Sequence, residues 1–361
     1  MKAESKVGRG QRTAHALATE AVNPRTAGLD RLPTLAMLRR MQGEDRAAVE
    51  AVGRALPQIA AAVEAILPRF RQGGRLIYVG AGTSGRLAVL DAAELPPTFG
   101  LPPGRVVAVM AGGSRALRQS VEGAEDDIAQ ARRDLERLRL GAGDSVLGIA
   151  ASGRTPYTVA AVRYARRQGC LTLALACTPR SPLARAAKLA IETLTGPEAI
   201  AGSTRLKAGS AQKMTLNLLS NGLMIGCGRV RGNRMTHLQP TNTKLRRRAE
   251  GLVMEAAGWA GAAGQARARR LLVKTGGDLP GALGLLTGAG PGPARPGPHS
   301  KGLGAPARGL ASPRGRERPL AGAESRWLWS TERPRGAGRR PARGSATRSK
   351  RREARELGIP S

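Results

Sequence analysis

Apolar residues follow two rhythms along this chain. Over residues 35–42 and 46–71 they recur at helical spacing, and Val49, Val52, Leu56, Ile59, Val63, Ile66 and Leu67 are predicted to pack on one face of a helical N-terminal region. Short, largely apolar stretches then take over at 76–79, 106–110, 145–149, 171–176 and 187–192, each of a length suited to a strand. Helical stretches separate them: one beginning at Leu87, others over 120–138 and 157–167, and a long one over 211–225. Strands alternating with helices predict an α/β fold, a parallel sheet with helices on both faces. Residues 19–26 read as an ordered loop, and the polar segment 1–18 as a flexible N-terminus.

The first strand runs straight into Gly80-Ala81-Gly82-Thr83-Ser84-Gly85. Strand, glycine-rich turn and helix start together make an anion site, because glycines admit close backbone approach and free N–H groups point outward at the helix start. The stretch also spells GxGxxG, but a dinucleotide site needs a carboxylate at the end of the second strand. That strand ends in Ala111-Gly112-Gly113-Ser114, so phosphate binding is the better reading. A second such loop, Ala151-Ser152-Gly153-Arg154-Thr155-Pro156, follows the third strand, and in a parallel sheet both loops lie on one edge. A third polar cluster, 202–210, holds Ser203, Arg205 and Lys207, whose cations could neutralise an anion. Glu122, Glu125, Asp126 and Asp127 fall in the first turns of the expected 120–138 helix, where carboxylates suit the helix dipole.

Composition changes this picture in two places. Aromatic residues are 2% of the 361, so the core must be built from Leu, Val, Ile and Ala. The formal charge of +33 raises nucleic acid as a partner, and residues 291–361 contribute 17 Lys/Arg against 5 Glu, a net +12. That segment has no Asp, is rich in Pro, Gly, Ala and Arg, and offers only Trp327 and Trp329 for base stacking, so nucleic-acid binding is not favoured. Residues 290–361 are predicted to be a disordered basic tail. Three cysteines, Cys170, Cys177 and Cys227, fit no zinc spacing, and His15, His237 and His299 are scattered. No apolar run reaches 18 residues and the N-terminus lacks an apolar signal core, which makes the cytoplasm the expected compartment and a membrane an unexpected partner.

Six separated motifs share one pattern: 19–30 with Thr19-Glu20, Asn23-Pro24 and Leu29-Asp30; 80–87; Glu94 with 96–100; Val121-Glu122-Gly123-Ala124-Glu125-Asp126; 151–156; and 202–213. In these the chain resembles the N-acetylmuramic acid 6-phosphate etherases of the sugar isomerase (SIS) fold group, over about residues 17–275. The glucokinase regulatory protein shares the motifs on a longer chain. The resemblance implies a carbon–oxygen lyase: loss of the D-lactyl ether, giving N-acetylglucosamine 6-phosphate and D-lactate, in cell-wall recycling, with no metal or other cofactor and as a homodimer. It implies Glu94 as proton donor and Glu125 as second carboxylate, in the base role. It gives Gly82, Thr83, Ser84, Ser152, Gly153 and Thr155 to the phosphate, and Ser203, Arg205 and Lys207 to the rest of the pocket. The implied layout is a helical region at 19–71, a SIS domain at 72–240 and an incomplete helical region at 241–289. Arg234, His237 and Asn221 depart from the family pattern, and from Gly276 onward the pattern breaks. A sensor on the same fold is the alternative; retention of both glutamates speaks against it.

Overall fold

The fold is described from a computed structural model, covering residues 19–238, 240 and 242–287. The expected flexible N-terminus, 1–18, and the expected basic tail, 290–361, lie outside the described residues. A 38-residue helix, α1 (Thr34–Arg71), leads into strand β1 (Leu76–Gly80). There follow α2 (Gly82–Phe99), β2 (Val106–Met110), α3 (Ile128–Arg137), β3 (Ser145–Ile149), α4 (Pro156–Arg167), β4 (Leu171–Ala176), α5 (Pro182–Ala186), β5 (Leu189–Glu192) and α6 (Lys207–Gly226). All five strands pair in parallel, in the order β2-β1-β3-β4-β5.

The alternation within the strands builds three layers. On one face Leu76, Tyr78, Leu147, Ile149 and Leu173 meet Ile59, Ile66 and Phe70 of α1, Leu95 of α2 and Leu219 of α6. On the other, Ile77, Val79 and Val146 meet Leu135 of α3 and Tyr157 and Ala161 of α4. Every residue of β1, β3 and β4 is buried, as strands covered on both faces must be.

Two expectations for α1 need correction. The helix does not break at Gly43-Glu44-Asp45; it is continuous, and Glu44 is buried. Its core stripe is largely alanine (Ala48, Ala51, Ala55, Ala62) with Val52, Ile59, Ile66 and Phe70, whereas Val49 and Leu56 are 61% and 49% exposed. α1 and α6 approach closely: Gly222 and Gly226 of α6 face Val63 and Leu67 of α1 with little room to spare. After α6 a short hairpin pairs β6 (Val230–Arg231) with β7 (Arg234–Met235). Helices α7 (Thr243–Ala256), α8 (Gly261–Lys274) and α9 (Leu279–Thr287) then share a small core of Leu238, Ala249, Val253, Ala268, Leu272, Leu279 and Ala282. Arg234, one of the residues that departs from the family pattern, forms an ion pair with Glu255 of α7.

Candidate functional site

In the order β2-β1-β3-β4-β5 the chain leaves β1 toward one edge of the sheet and returns beyond it at β3, so the crevice opens between the C-terminal ends of β1 and β3. The two hydroxyl-rich loops follow those strands. The first is less of a loop than the apolar pattern predicts: α2 begins at Gly82, five residues before Leu87, and Gly82, Thr83 and Ser84 form its first turn. The chain turns this sharply because Gly80 and Gly85 are in backbone contact. A methyl group on Gly85 would come within 2.9 Å of the Gly80 carbonyl oxygen. The Ala81 cap makes no side-chain bond and the first turn of α2 holds no acid, which leaves the positive end of its dipole facing the crevice.

The second loop is shaped by Gly153, at φ +62°, where a methyl group would overlap the Ser181 hydroxyl. Ser152 Oγ accepts from the Arg154 N–H at 3.2 Å, so its own proton is free to be donated. Thr155 is the residue before α4, and its hydroxyl does not cap that helix.

The segment 120–127 is not helical as expected. Gly123 sits at φ +72°, helix α3 starts only at Ile128, and Asp127 caps it by accepting from the Gln130 N–H at 2.7 Å. Glu125 therefore lies on a loop. Its carbonyl accepts from the Tyr157 N–H at 2.9 Å, which ties it to the start of α4. With Gly82, Arg86 and Ser120 it lines a cleft of about 200 Å³ at the start of α2. The carbonyl explains part of the α4 start; the Glu125 side chain is exposed.

Glu94 lies elsewhere. It lines a cleft of about 270 Å³ between α2 and α6, together with Asp91, Lys213, Asn217, Ser220 and Asn221 and the apolar Leu87 and Leu90. Asp91 is buried there and accepts from the Tyr78 hydroxyl at 3.0 Å and the Ser220 hydroxyl at 3.1 Å. Burial outweighs those bonds and pushes its carboxyl up to about 6.

The third cluster is closed at its helix. Glu198, fully buried, accepts from the Lys207 and Ala208 N–H groups at 3.1 and 2.9 Å, so a carboxylate of the chain already occupies the start of α6. The Lys207 ammonium, 1% exposed, does not face the crevice; it lies 2.5 Å from Glu44 Oε2. Asn23 and Arg25 converge on the same carboxylate, at 2.7 Å and 2.6 Å. Residues 19–26 thus strap the 197–207 segment down: Asn23 Nδ2 also reaches the Pro197 carbonyl, the Thr19 carbonyl accepts from the Gly202 N–H, and Glu20 lies against Gly202. Ser203 is half-buried and Arg205 exposed on the strapped segment.

A parallel sheet with two hydroxyl-bearing loops at its switch point is the layout of a SIS domain, and residues 128–221 match the SIS domain model. Residues 58–166 match the model for the glucokinase regulatory protein N-terminal SIS domain. The N-acetylmuramic acid 6-phosphate etherase of Yersinia pestis (strain Pestoides F) is 54% identical over 243 residues, covering 67% of this chain and 82% of the relative. The enzyme of the same name from Yersinia pseudotuberculosis serotype O:1b (strain IP 31758) matches equally. A phosphoheptose isomerase structure from Francisella tularensis is similar at 19% identity and a TM-score of 0.44, over 54% of this chain and 100% of that one. The chain belongs to the N-acetylmuramic acid 6-phosphate etherase family.

Proposed function

We propose that this chain cleaves the D-lactyl ether of N-acetylmuramic acid 6-phosphate, in the cytoplasm, as a homodimer. The observation that carries the reading is the uncapped start of α2 beside the Ser152–Thr155 loop at the switch point, in a chain 54% identical to etherases over 243 residues. The phosphate is held by the N–H groups of Gly82, Thr83 and Ser84 and by the hydroxyls of Thr83, Ser84, Ser152 and Thr155, with Gly153 shaping the second loop. Ser203 and Arg205 line the sugar. Lys207 acts at one remove, by holding their segment through Glu44.

The chemistry follows from the sugar. Ring opening makes C1 an aldehyde and the C2 proton acidic. Glu125 takes that proton, a C2–C3 double bond forms, and the C3–O bond breaks with its electrons going to the lactate oxygen. Glu94 protonates that oxygen as it leaves. Water then adds at C3 and a proton returns to C2, giving N-acetylglucosamine 6-phosphate and D-lactate.

A single copy does not bring these groups together. Gly82 and Glu94 are 12 residues apart in one helix, about 18 Å at 1.5 Å per residue, longer than a hexosamine phosphate. In this reading the homodimer has a role: Glu94 of the partner subunit completes the site, and the length of α2 between Gly82 and Glu94 supports it. The test is purified chain incubated with N-acetylmuramic acid 6-phosphate while D-lactate is assayed. D-lactate is expected, and Glu94→Gln should lower turnover at least about 100-fold with the substrate still bound. No lactate from folded parent protein rejects the activity; an unaltered Glu94→Gln rate rejects the acid.

A further inference from the structure

The start of α2 carries one group that this chemistry leaves unused. Gln212, in the second turn of α6, is 1% exposed, and its Oε1 accepts the Ser84 hydroxyl at 2.9 Å. The other end of the amide, Nε2, is buried without a partner among the described residues. An unmet buried donor is costly and uncommon, so this amide needs a reason to be there. Ser84 is 8% exposed and belongs to the first turn of α2, whose positive end no acid covers.

The pairing has the wrong polarity for an anion site. Ser84 has a single hydroxyl proton, and it points at Gln212 instead of at the crevice. The two ends of an amide have the same shape and opposite hydrogen-bonding character. Half a turn about the Cγ–Cδ bond of Gln212 places Nε2 on Ser84 Oγ. The serine becomes the acceptor and its proton is released to an anion. The amide oxygen then occupies the place of the orphaned N–H, and an unmet carbonyl is the more tolerable of the two. A bound anion favours this state through a charge-assisted hydrogen bond at the positive end of a helix.

We infer that Gln212 is a positioning residue of the anion site at the start of α2, its amide donating to Ser84 so that the Ser84 hydroxyl is turned onto a phosphoryl oxygen. The identity of the sugar rests on the function proposed above; the anion chemistry does not.

Calorimetric titration with N-acetylglucosamine 6-phosphate, and separately with inorganic phosphate, tests this on the full chain and on Gln212→Met, Ser84→Ala and the double variant. Methionine keeps the length of the side chain and removes both amide ends. Each single variant should bind N-acetylglucosamine 6-phosphate about 10-fold more weakly, the scale of one hydrogen bond to a charged group. The double variant should be no weaker than Ser84→Ala, because Gln212 acts only through Ser84. Parent-like binding by Gln212→Met overturns the inference, and so does a loss in the double variant equal to the product of the two single losses. In the parent labelled with nitrogen-15 at glutamine, the Gln212 side-chain amide resonances should move on adding either ligand; unmoved resonances with ligand bound overturn the inference without any variant. Binding of phosphate but not of the sugar phosphate overturns the substrate reading and leaves Gln212 to be judged on phosphate. Binding of neither overturns both.

Discussion

Glu44 receives four hydrogen bonds on two oxygens, from Asn23, twice from Arg25, and from Lys207. The Arg25 guanidinium, foremost among these, holds its carboxyl down at about 2, against 4.5 for an ordinary glutamate. A carboxylate with a lowered folded-state pKa stabilises the fold above its unfolded value and loses that contribution as pH falls through the folded one. About 3 kcal/mol should therefore disappear between pH 4.5 and pH 2, read as falling urea midpoints. The two ends of the pair are not equivalent. Glu44→Gln takes the hydrogen-bonded counter-charge from a fully buried ammonium, leaving it only the more distant Glu198 carboxylate, and should cost about 3–5 kcal/mol. Lys207→Met leaves Glu44 with Arg25, whose side chain is exposed, and should cost clearly less. Equal losses in urea unfolding would show that Lys207 finds another counter-charge. The partners of Glu44 lie 19 to 163 residues away in sequence, which is why no local pattern announces Lys207 as an internal cation.

At the level of elements, the strands were legible and the helix starts were not. Four- to six-residue apolar runs between helices have few alternatives, and β2, β3 and β4 occupy the residues their runs mark. The start of α2 was obscured because glycine, threonine and serine read as turn residues, although a helix whose first turn touches its own strand needs small residues there. The 120–127 loop was obscured in the opposite way: its carboxylates imitate a helix N-terminus, and Gly123 at positive φ ends that reading. In α1 the core stripe is written in alanine, which an apolar pattern weighted to large residues passes over. The hydroxyl loops themselves were visible in sequence. What was not visible is that Ser84 is committed to Gln212, or that Glu94 and Glu125 line different clefts. One glycine gives a test at this scale. Gly153→Ala puts a methyl group on the Ser181 hydroxyl at a backbone angle that alanine rarely adopts, and should cost about 1–3 kcal/mol in thermal unfolding. It should also weaken phosphosugar binding, since the loop cannot keep its shape; a fully stable, tight-binding variant would show that the loop is plastic.

For the whole molecule, the separation of the two glutamates becomes a statement about assembly. If Glu94 serves a site built on the partner's α2 start and the partner's Glu125, two dead proteins should make one live one. On that reading Glu94→Gln homodimers would lack the acid at both sites, and Glu125→Gln homodimers would lack the base at both. In a mixed dimer, one site combines Glu125 of the first chain with Glu94 of the second and is intact; the other site carries both substitutions. Random re-pairing of equal amounts puts half of the dimers in the mixed state with one good site of two, so lactate release should recover to about a quarter of the parent rate. Mild dissociation and reassociation before the assay is essential, and mixing without it provides the control. The alternative geometry, in which each chain supplies both glutamates to its own site, predicts no recovery at any mixing ratio. It would require α2 to fold back between Gly82 and Glu94, and the prolines of that helix, Pro96 and Pro97, loosen it only from Ala92 onward, too near Glu94 for a bend there to return it to Gly82. Recovery near a quarter, with each single variant inactive alone, would place the reaction between two copies of the chain.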